Sequence, residues 1–187
     1  MRGRVIALLA VGALGLGACG EDDGGDAALE PAIPANTPTE TTPSTPTTGK
    51  PFSLASIKVS KDTSKKPTIT KPSGDPPTKL VQKDIVVGKG AAAKDGDNLS
   101  MHYLGALFDG EQFEASWDAS PPKPFDLVLG QGNVIPGWDQ GIVGMKKGGR
   151  RLLVIPPDLA YGEAGQGNIP PNATLMFVVD VVKRTAG

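Results

Sequence analysis

The chain has 187 residues, with 19 Lys and Arg against 20 Asp and Glu, one His and one Cys. This length suits one domain with an extension, or two small domains. A formal net charge of −1 provides no basic footprint for nucleic-acid binding. One His and one Cys cannot build the usual Cys/His zinc site, and a single Cys cannot form an intrachain disulfide. We therefore expect no metal, no cofactor and no nucleic-acid partner.

The N-terminal residues are typical of an export signal. Arg2 and Arg4 precede an apolar run that is interrupted only by glycines and ends at Leu16. The run is too short for a membrane span, which needs about 20 apolar residues. Gly17, Ala18 and the sole cysteine, Cys19, follow at once. This segment closely resembles the lipobox of bacterial lipoproteins.

The lipobox resemblance implies that residues 1–18 are a signal peptide and that the thiol of Cys19 carries a lipid. The mature protein would then be an exported bacterial lipoprotein, anchored on the extracytoplasmic side of a membrane. The alternative is an ordinary signal peptide that happens to contain a cysteine.

Residues 19–77 are predicted to be a disordered tether that begins at the lipidated cysteine. Residues 36–48 are so rich in Thr and Pro that they cannot bury enough apolar surface to offset the entropy of ordering. A coil of this length would span roughly 40 Å. Phe52–Thr70 has some apolar alternation that could add a strand to a sheet, but its lysines and Pro67 favour disorder.

The folded domain is predicted to be residues 78–187. The turn signal Asp109-Gly110 predicts a hairpin, and Gly-bounded apolar runs predict strands on either side of it. The predicted strands are Leu80–Val87, Asn98–Phe108, Glu111–Ala115, Phe125–Leu129, Arg150–Ile155 and Thr174–Lys183.

One segment has helical rather than alternating periodicity. Trp138, Ile142 and Met145 are spaced as i, i+4 and i+7, and Pro136 suits the first turn of a helix. Internal glycines make this helix weak, so it needs packing to form. Several strands, tight turns and one short helix predict an α+β domain with an antiparallel sheet.

The common catalytic sites lack their groups in this sequence. Gly88–Ala93 mimics a dinucleotide-binding loop, but the next strand follows within a few residues, so a turn is predicted. His102 is predicted to be structural, and Ser100, Ser116 and Ser120 lack plausible His and Asp partners. Tyr161 is more informative, because a phenol in a turn could donate a hydrogen bond at the lip of an apolar cup.

Several short motifs occur in an order and spacing that strongly resemble the FKBP-type peptidyl-prolyl cis-trans isomerases. The motifs are His102–Gly105, Asp109-Gly110, Phe113–Ser116, Val134–Trp138, Ala160–Gly162 and Ile169–Phe177. The resemblance covers residues 77–184. It implies a strongly bent antiparallel β-sheet wrapped around one short α-helix.

The resemblance also implies a substrate pocket and the roles of its residues. Trp138 would be the pocket floor, and the backbone N–H of Ile135 and the hydroxyl of Tyr161 would hold ligand carbonyls. Glu114 stands where the family usually has Asp, and completes the set of catalytic residues. The lining positions are Tyr103, Phe113, Phe125, Val134, Ile169 and Phe177.

The sequence departs from the family pattern at two further places. Leu127 stands where a second pocket aromatic is common, and the loop Gly165–Asn168 is one residue shorter than usual. Trp117 has no counterpart in the motifs, and is either rim surface or core.

The implied activity is the rotation of Xaa-Pro bonds in unfolded, exported polypeptides. Desolvation and hydrogen bonding would suffice, without metal, nucleophile or acid–base pair. We expect a monomer that binds proline-containing chains and macrolides such as rapamycin. The alternative function is a non-catalytic binding or chaperone module on the cell surface that uses the same groove.

Overall fold

The structure is a computed structural model and describes residues 49–187. The predicted signal peptide, the predicted lipidation site Cys19 and the first part of the predicted tether lie outside the described residues.

The described residues form eight strands, one α-helix and three short 3-10 turns. The elements are β1 (Val81–Val86), β2 (Lys89–Ala92), β3 (Asn98–Leu107), β4 (Gln112–Ala115), β5 (Phe125–Val128), α1 (Pro136–Ile142), β6 (Lys146–Lys147), β7 (Arg150–Ile155) and β8 (Leu175–Thr185). Every strand predicted from the sequence is present with bounds shifted by at most a few residues. The predicted helix is present but ends at Ile142.

Six strands form one sheet in the order β1-β7-β8-β3-β4, with β5 pairing beside β4 on the same edge of β3. All its pairs are antiparallel. The long strands β3 and β8 are paired along their length, from Asn98 opposite Thr185 to Leu107 opposite Leu175. The fold-class prediction, an antiparallel sheet with one short helix, is confirmed.

A two-stranded ribbon of β2 and β6 was not predicted. Lys89 pairs with Lys147 and Ala92 pairs with Lys146. The turn predicted for this stretch was therefore wrong for residues 89–92. The four residues of β2 are all exposed, so no apolar alternation marks them as a strand, and their partner is a distant part of the chain.

Both faces of the sheet are covered, which explains why all six residues of β7 are buried. One face packs on α1 and forms the larger apolar cluster. The other face packs against residues 49–73, which we call the N-terminal strap. Ile57 of the strap is only 4% exposed and joins a second cluster with Leu104, Val154 and Met176 of the sheet.

The strap corrects the expectation that disorder extends to residue 77. Its two arms form the isolated bridges Ser53–Ser73 and Val59–Ile69. The apolar alternation that suggested an added strand therefore has a structural basis. The composition of this segment favours disorder, because the strands that cover Ile57 lie far away in the sequence and leave no local signal.

A buried arginine holds the strap to the sheet. Arg150 is completely buried, and its guanidinium donates to both carboxylate oxygens of Asp180 at 2.6 Å. It also donates to the carbonyl oxygens of Ser60, at 2.8 Å, and Lys65, at 3.0 Å. Because an uncompensated buried charge is strongly destabilising, the strap supplies acceptors that this guanidinium requires.

None of the helices within residues 49–187 combines the length and the apolar composition needed to cross a membrane.

Loss of the strap's main apolar contact should destabilise the domain. Because Ile57 is buried against the sheet, we expect Ile57→Ala to lower the free energy of unfolding by at least about 2 kcal/mol, measured by urea denaturation. The neighbouring Lys58→Ala changes an exposed side chain and should stay within about 0.5 kcal/mol of the wild type. Equal small effects of the two substitutions would show that the strap does not pack on the sheet in solution.

Candidate active site

The indole of Trp138 lies at the centre of a group of aromatic rings. It is 1% exposed. Three rings meet it in edge-to-face geometry, with centroid distances of 5.2 Å to Phe177, 5.3 Å to Tyr103 and 6.1 Å to Phe125. Such T-shaped contacts are favoured by the ring quadrupoles and restrict each ring's orientation. We call these four residues the Trp138 cluster.

The cluster is assembled by the bend of the sheet against α1. Tyr103 comes from β3, Phe125 from β5 and Phe177 from β8, whereas Trp138 lies in the first turn of α1. Phe113 of β4 extends the row of rings, because it packs edge-to-face on Phe177 at 5.7 Å. The rings thus come from five separate elements of the chain.

A glycine on β3 makes room for this packing. A Cβ atom on Gly105 would lie 2.7 Å from Cζ of Phe113 and 2.8 Å from Cε1 of Phe177. A side chain at this position would therefore displace both rings. Gly105 ends the motif His102–Gly105, but its neighbours in the sequence do not indicate this role.

Three aliphatic side chains complete the apolar surroundings, namely Val134, Ile135 and Ile169, each almost buried in the same apolar cluster. Ile135 immediately precedes α1, and its carbonyl oxygen accepts the N–H of Trp138 at 2.9 Å. Within residues 49–187, the N–H of Ile135 itself has no acceptor.

Tyr161 lies in the turn that follows the 3-10 turn Pro157–Leu159. It is half-buried and packs against the same apolar cluster. Backbone bonds hold this turn, because Gly165 donates to the Tyr161 carbonyl at 3.2 Å. The loop Gly165–Asn168 is closed by two reciprocal bonds between Gln166 and Ile169, of 2.8 and 3.0 Å.

A half-buried carboxylate adjoins the two tyrosines. Burial raises the pKa of Glu114, and the phenol of Tyr103 partly offsets this rise. Burial also raises the pKa of Tyr103 and of Tyr161, and the negative charge of Glu114 raises both further. Both phenols therefore stay protonated, so the Tyr161 hydroxyl remains a hydrogen-bond donor.

The structure thus brings together all the predicted pocket residues. Their apolar members belong to one cluster, or pack against it, and Glu114 lies beside the tyrosines. Leu127 is also part of that cluster and fills core space. Cys19 lies outside the described residues. No group of three or more His, Cys, Asp or Glu within residues 49–187 is placed to hold a metal ion.

Two residues outside the cluster have roles that the sequence did not reveal. Trp117 stacks on His102 on the strap side of the sheet, with centroids 4.2 Å apart. Nδ1 of His102 lies 3.0 Å from Oγ of Ser116, so Ser116 does have a His partner. The Ser116 hydroxyl is nonetheless buried and bonded to the Tyr103 backbone, at 2.9 Å to its N–H. This arrangement is structural, because the hydroxyl is inaccessible to a substrate.

A separate surface depression of about 520 Å³ lies along β3, β5 and the end of β8. It shares only Phe125 with the Trp138 cluster. Much of its remaining lining is polar: Asn98, Ser100, Asp126, Asn133, Lys183 and Thr185. Its apolar lining comes from Leu99, Phe125, Leu127 and Val128, and it includes neither Tyr161 nor Ile135. The residues that the family motifs indicate therefore lie around the Trp138 cluster and not in this depression.

Comparison with known proteins gives the family. Residues 89–182 match the model of the FKBP-type peptidyl-prolyl cis-trans isomerases. The chain belongs to this family. As a member it is a peptidyl-prolyl cis-trans isomerase, and the activity implied by the motifs is confirmed at this level.

The matched relatives and structures agree with this assignment. A protein of Streptomyces anulatus named FK506-binding protein is 52% identical over 120 residues, which are 63% of this chain and 95% of the relative. The FKBP-type isomerase FkpA of Escherichia coli K12 is 47% identical over 105 residues, but the match covers only 37% of its length and 56% of this chain. The crystal structure of Escherichia coli FkpA matches with a TM-score of 0.52 and 44% identity, over 57% of this chain and 48% of that chain.

The raised pKa of Glu114 predicts a pH-dependent stability. The folded state favours the protonated carboxyl group more than the unfolded chain does. The contribution of Glu114 to the free energy of unfolding is therefore fully present below its pKa in the unfolded chain. It is lost as the pH rises through the folded pKa. We expect Glu114→Gln to become increasingly stabilising relative to the wild type from about pH 4 to about pH 7, measured by urea unfolding.

Glu111→Gln is the matched control, because Glu111 is an exposed carboxylate only three residues earlier on the chain. Its stability difference from the wild type should not follow the same trend. A constant difference for Glu114→Gln across the pH range would contradict the burial of this carboxyl group.

Proposed function

We propose that the Trp138 cluster is the catalytic pocket of this isomerase, and that its substrates are exported polypeptides. The observation that carries the pocket proposal is the arrangement around Trp138. An indole is enclosed edge-to-face by three rings, and the same apolar cluster contains Ile135 and packs against Tyr161. An aromatic and aliphatic cup suits the apolar ring of a proline residue.

The chemistry requires no covalent intermediate. Rotation about an Xaa-Pro bond is slow because it destroys amide resonance, with a barrier of about 18–20 kcal/mol. Water stabilises the planar, polar amide better than the twisted one. An apolar cup removes water from the planar amide and replaces it with fixed protein groups, which reduces that advantage.

Two donors would act on the carbonyl groups beside the bond. Because Ile135 is buried in the apolar cluster and Tyr161 packs against it, we propose that these two donors need little reorganisation at the twisted state. Each tenfold acceleration needs only about 1.4 kcal/mol, which one well-placed donor can supply. Glu114 would contribute indirectly, because its negative charge adds to the effect of burial in raising the pKa of the Tyr161 phenol.

The proposed exported location rests on the N-terminal sequence. Residues 1–18 would be a cleaved signal peptide, and Cys19 would carry the lipid anchor. Residues 19–48 would serve as the tether, and the isomerase domain would comprise residues 78–187, with the strap packed on it. Slow prolyl isomerisation limits the folding of many chains. Exported chains that contain proline would therefore be the substrates of a membrane-tethered isomerase.

Substitutions in the pocket should reduce the isomerisation rate. Tyr161→Phe removes one donor, and Trp138→Leu removes the floor of the proposed pocket. We expect kcat/KM for an Xaa-Pro peptide to fall by about tenfold or more in each variant. This corresponds to a rise in the activation free energy of about 1.4 kcal/mol or more. A protease-coupled peptide assay measures this. Trp117→Leu is the matched control, since Trp117 lies on the strap side of the sheet, and it should retain the wild-type rate. Wild-type rates in both pocket variants would overturn the pocket proposal.

The same assay with rapamycin tests the macrolide-binding expectation. Inhibition that is lost in Trp138→Leu supports a shared pocket for macrolide and peptide. A protein that binds rapamycin but does not accelerate isomerisation would instead be a binding module.

The anchor proposal is tested with the full chain expressed in a bacterium. We expect metabolic labelling with a radioactive fatty acid and recovery in the membrane fraction, both lost in Cys19→Ala. Ser44→Ala is a suitable control, because it changes the proposed tether without touching the anchor. Membrane recovery and labelling that persist in Cys19→Ala would contradict the lipoprotein assignment.

A further inference from the structure

Helix α1 packs unusually closely on β7. A Cβ atom on Gly137 would lie 2.4 Å from Cγ2 of Ile155, and a Cβ atom on Gly141 would lie 2.7 Å from Cδ2 of Leu153. The two glycines therefore bring the helix backbone against the side chains of Ile155 and Leu153. Glycine inside a helix also weakens it by roughly 0.5–1 kcal/mol relative to alanine, so α1 depends on contacts with β7.

Arg151 continues this row on the same face of β7. Its Nη1 donates to the carbonyl oxygen of Gly141 at 2.8 Å and to that of Val143 at 2.9 Å. Carbonyl groups at the end of a helix lack partners within the helix, and the guanidinium supplies charge-assisted hydrogen bonds to them. The side chain of Arg151 is 8% exposed, so these bonds are largely shielded from water.

Asp84 on β1 fixes the direction of the guanidinium. It lies opposite Arg151 in the register of β1 and β7. Its carboxylate accepts hydrogen bonds from Nε at 2.6 Å and from Nη2 at 3.1 Å. This fork leaves Nη1 for the two carbonyl oxygens at the end of α1. A lysine could not reproduce the arrangement, because its ammonium group is a single point of donation.

The other end of α1 is held to the sheet by the packing of Trp138 rather than by a comparable polar anchor. Ile135, the residue before the helix, has no side-chain cap. Asp139 in the first turns accepts from the N–H groups of Gly130, at 2.9 Å, and Gly132, at 3.1 Å, which holds the preceding loop to the helix. The helix and this loop are therefore tied to each other, whereas Arg151 ties the helix to the sheet.

We propose that Arg151 is a positioning residue for the isomerase reaction. By fixing α1 along β7, it sets where Trp138 meets the rings of Tyr103 and Phe177, and where the Ile135 N–H is presented. Arg151 acts only through α1. The inference rests on the proposed function, because it assumes that the Trp138 cluster is the pocket.

Arg151→Met tests the proposal, because it keeps an apolar stem and removes the donors. We expect kcat/KM for an Xaa-Pro peptide to fall by about tenfold, and kcat to fall more than KM changes, because a displaced floor weakens contacts with the twisted amide. The emission of Trp138, recorded in a Trp117→Phe background, should shift relative to that background alone. Arg151→Lys should restore only part of the rate.

Val154→Ala is the matched control for a loss of stability. Val154 lies on the same strand but is buried in the strap-side cluster. Val154→Ala should therefore lower the free energy of unfolding while leaving Trp138 emission and kcat/KM at wild-type values. If Arg151→Met does not fold, Asp84→Asn serves as the test variant instead, because Asp84 fixes the direction of the Arg151 guanidinium. We expect kcat/KM to decrease by about threefold in Asp84→Asn.

Three results would overturn the inference: wild-type emission and rate in folded Arg151→Met, an emission change without a rate change, or the same changes in Val154→Ala. Trp138→Leu distinguishes the two proposals. If Trp138→Leu lowers the rate but Arg151→Met does not, only the positioning role fails. If Trp138→Leu also has no effect, the pocket assignment itself fails.

Discussion

The contact between the Trp138 indole and the inner face of the bent sheet is the interaction on which the rest of the structure depends. The indole is the largest fully buried side chain of the described residues. Three strands each contribute one ring that meets it edge-to-face. The same contact holds α1 in the domain and forms the base of the proposed pocket. In the proposed pocket, core packing and substrate binding would use one set of side chains, so a change that loosens the packing would also alter binding.

Two adjacent arginines on β7 hold the elements that apolar packing alone would leave weakly attached. Successive side chains of a strand point to opposite faces. Arg150 reaches the strap through the Ser60 carbonyl, and Arg151 reaches α1 through the Gly141 carbonyl. Each guanidinium also binds a carboxylate from a neighbouring strand, Asp180 or Asp84. A buried charge needs such complete partnering, so each arginine fixes the position of a segment rather than adding much net stability.

Much of the fold could be predicted because its signals are local. Glycines and turn residues bound the strands, and the spacing of Trp138, Ile142 and Met145 is helical. The ribbon of β2 and β6 could not be predicted, because exposed residues of a four-residue strand leave no periodic pattern. The strap was missed for a related reason, since the surface that covers Ile57 belongs to strands far along the chain. The motifs of the family indicate the residues of the proposed pocket, but they do not indicate that Gly105 and Arg151 support them.

The sequence by itself determined the kind of residues available and the order in which they occur. One His, one Cys and scattered serines exclude most catalytic chemistries, and the aromatic motifs are sufficient to indicate a family. Only the tertiary structure decided which of these residues meet. Ring contacts around Trp138, the guanidinium bonds of Arg151 and the environment of Glu114 join positions that are far apart in the chain. Their geometry depends on the twist and register of strands, and neither property is encoded by local residue spacing.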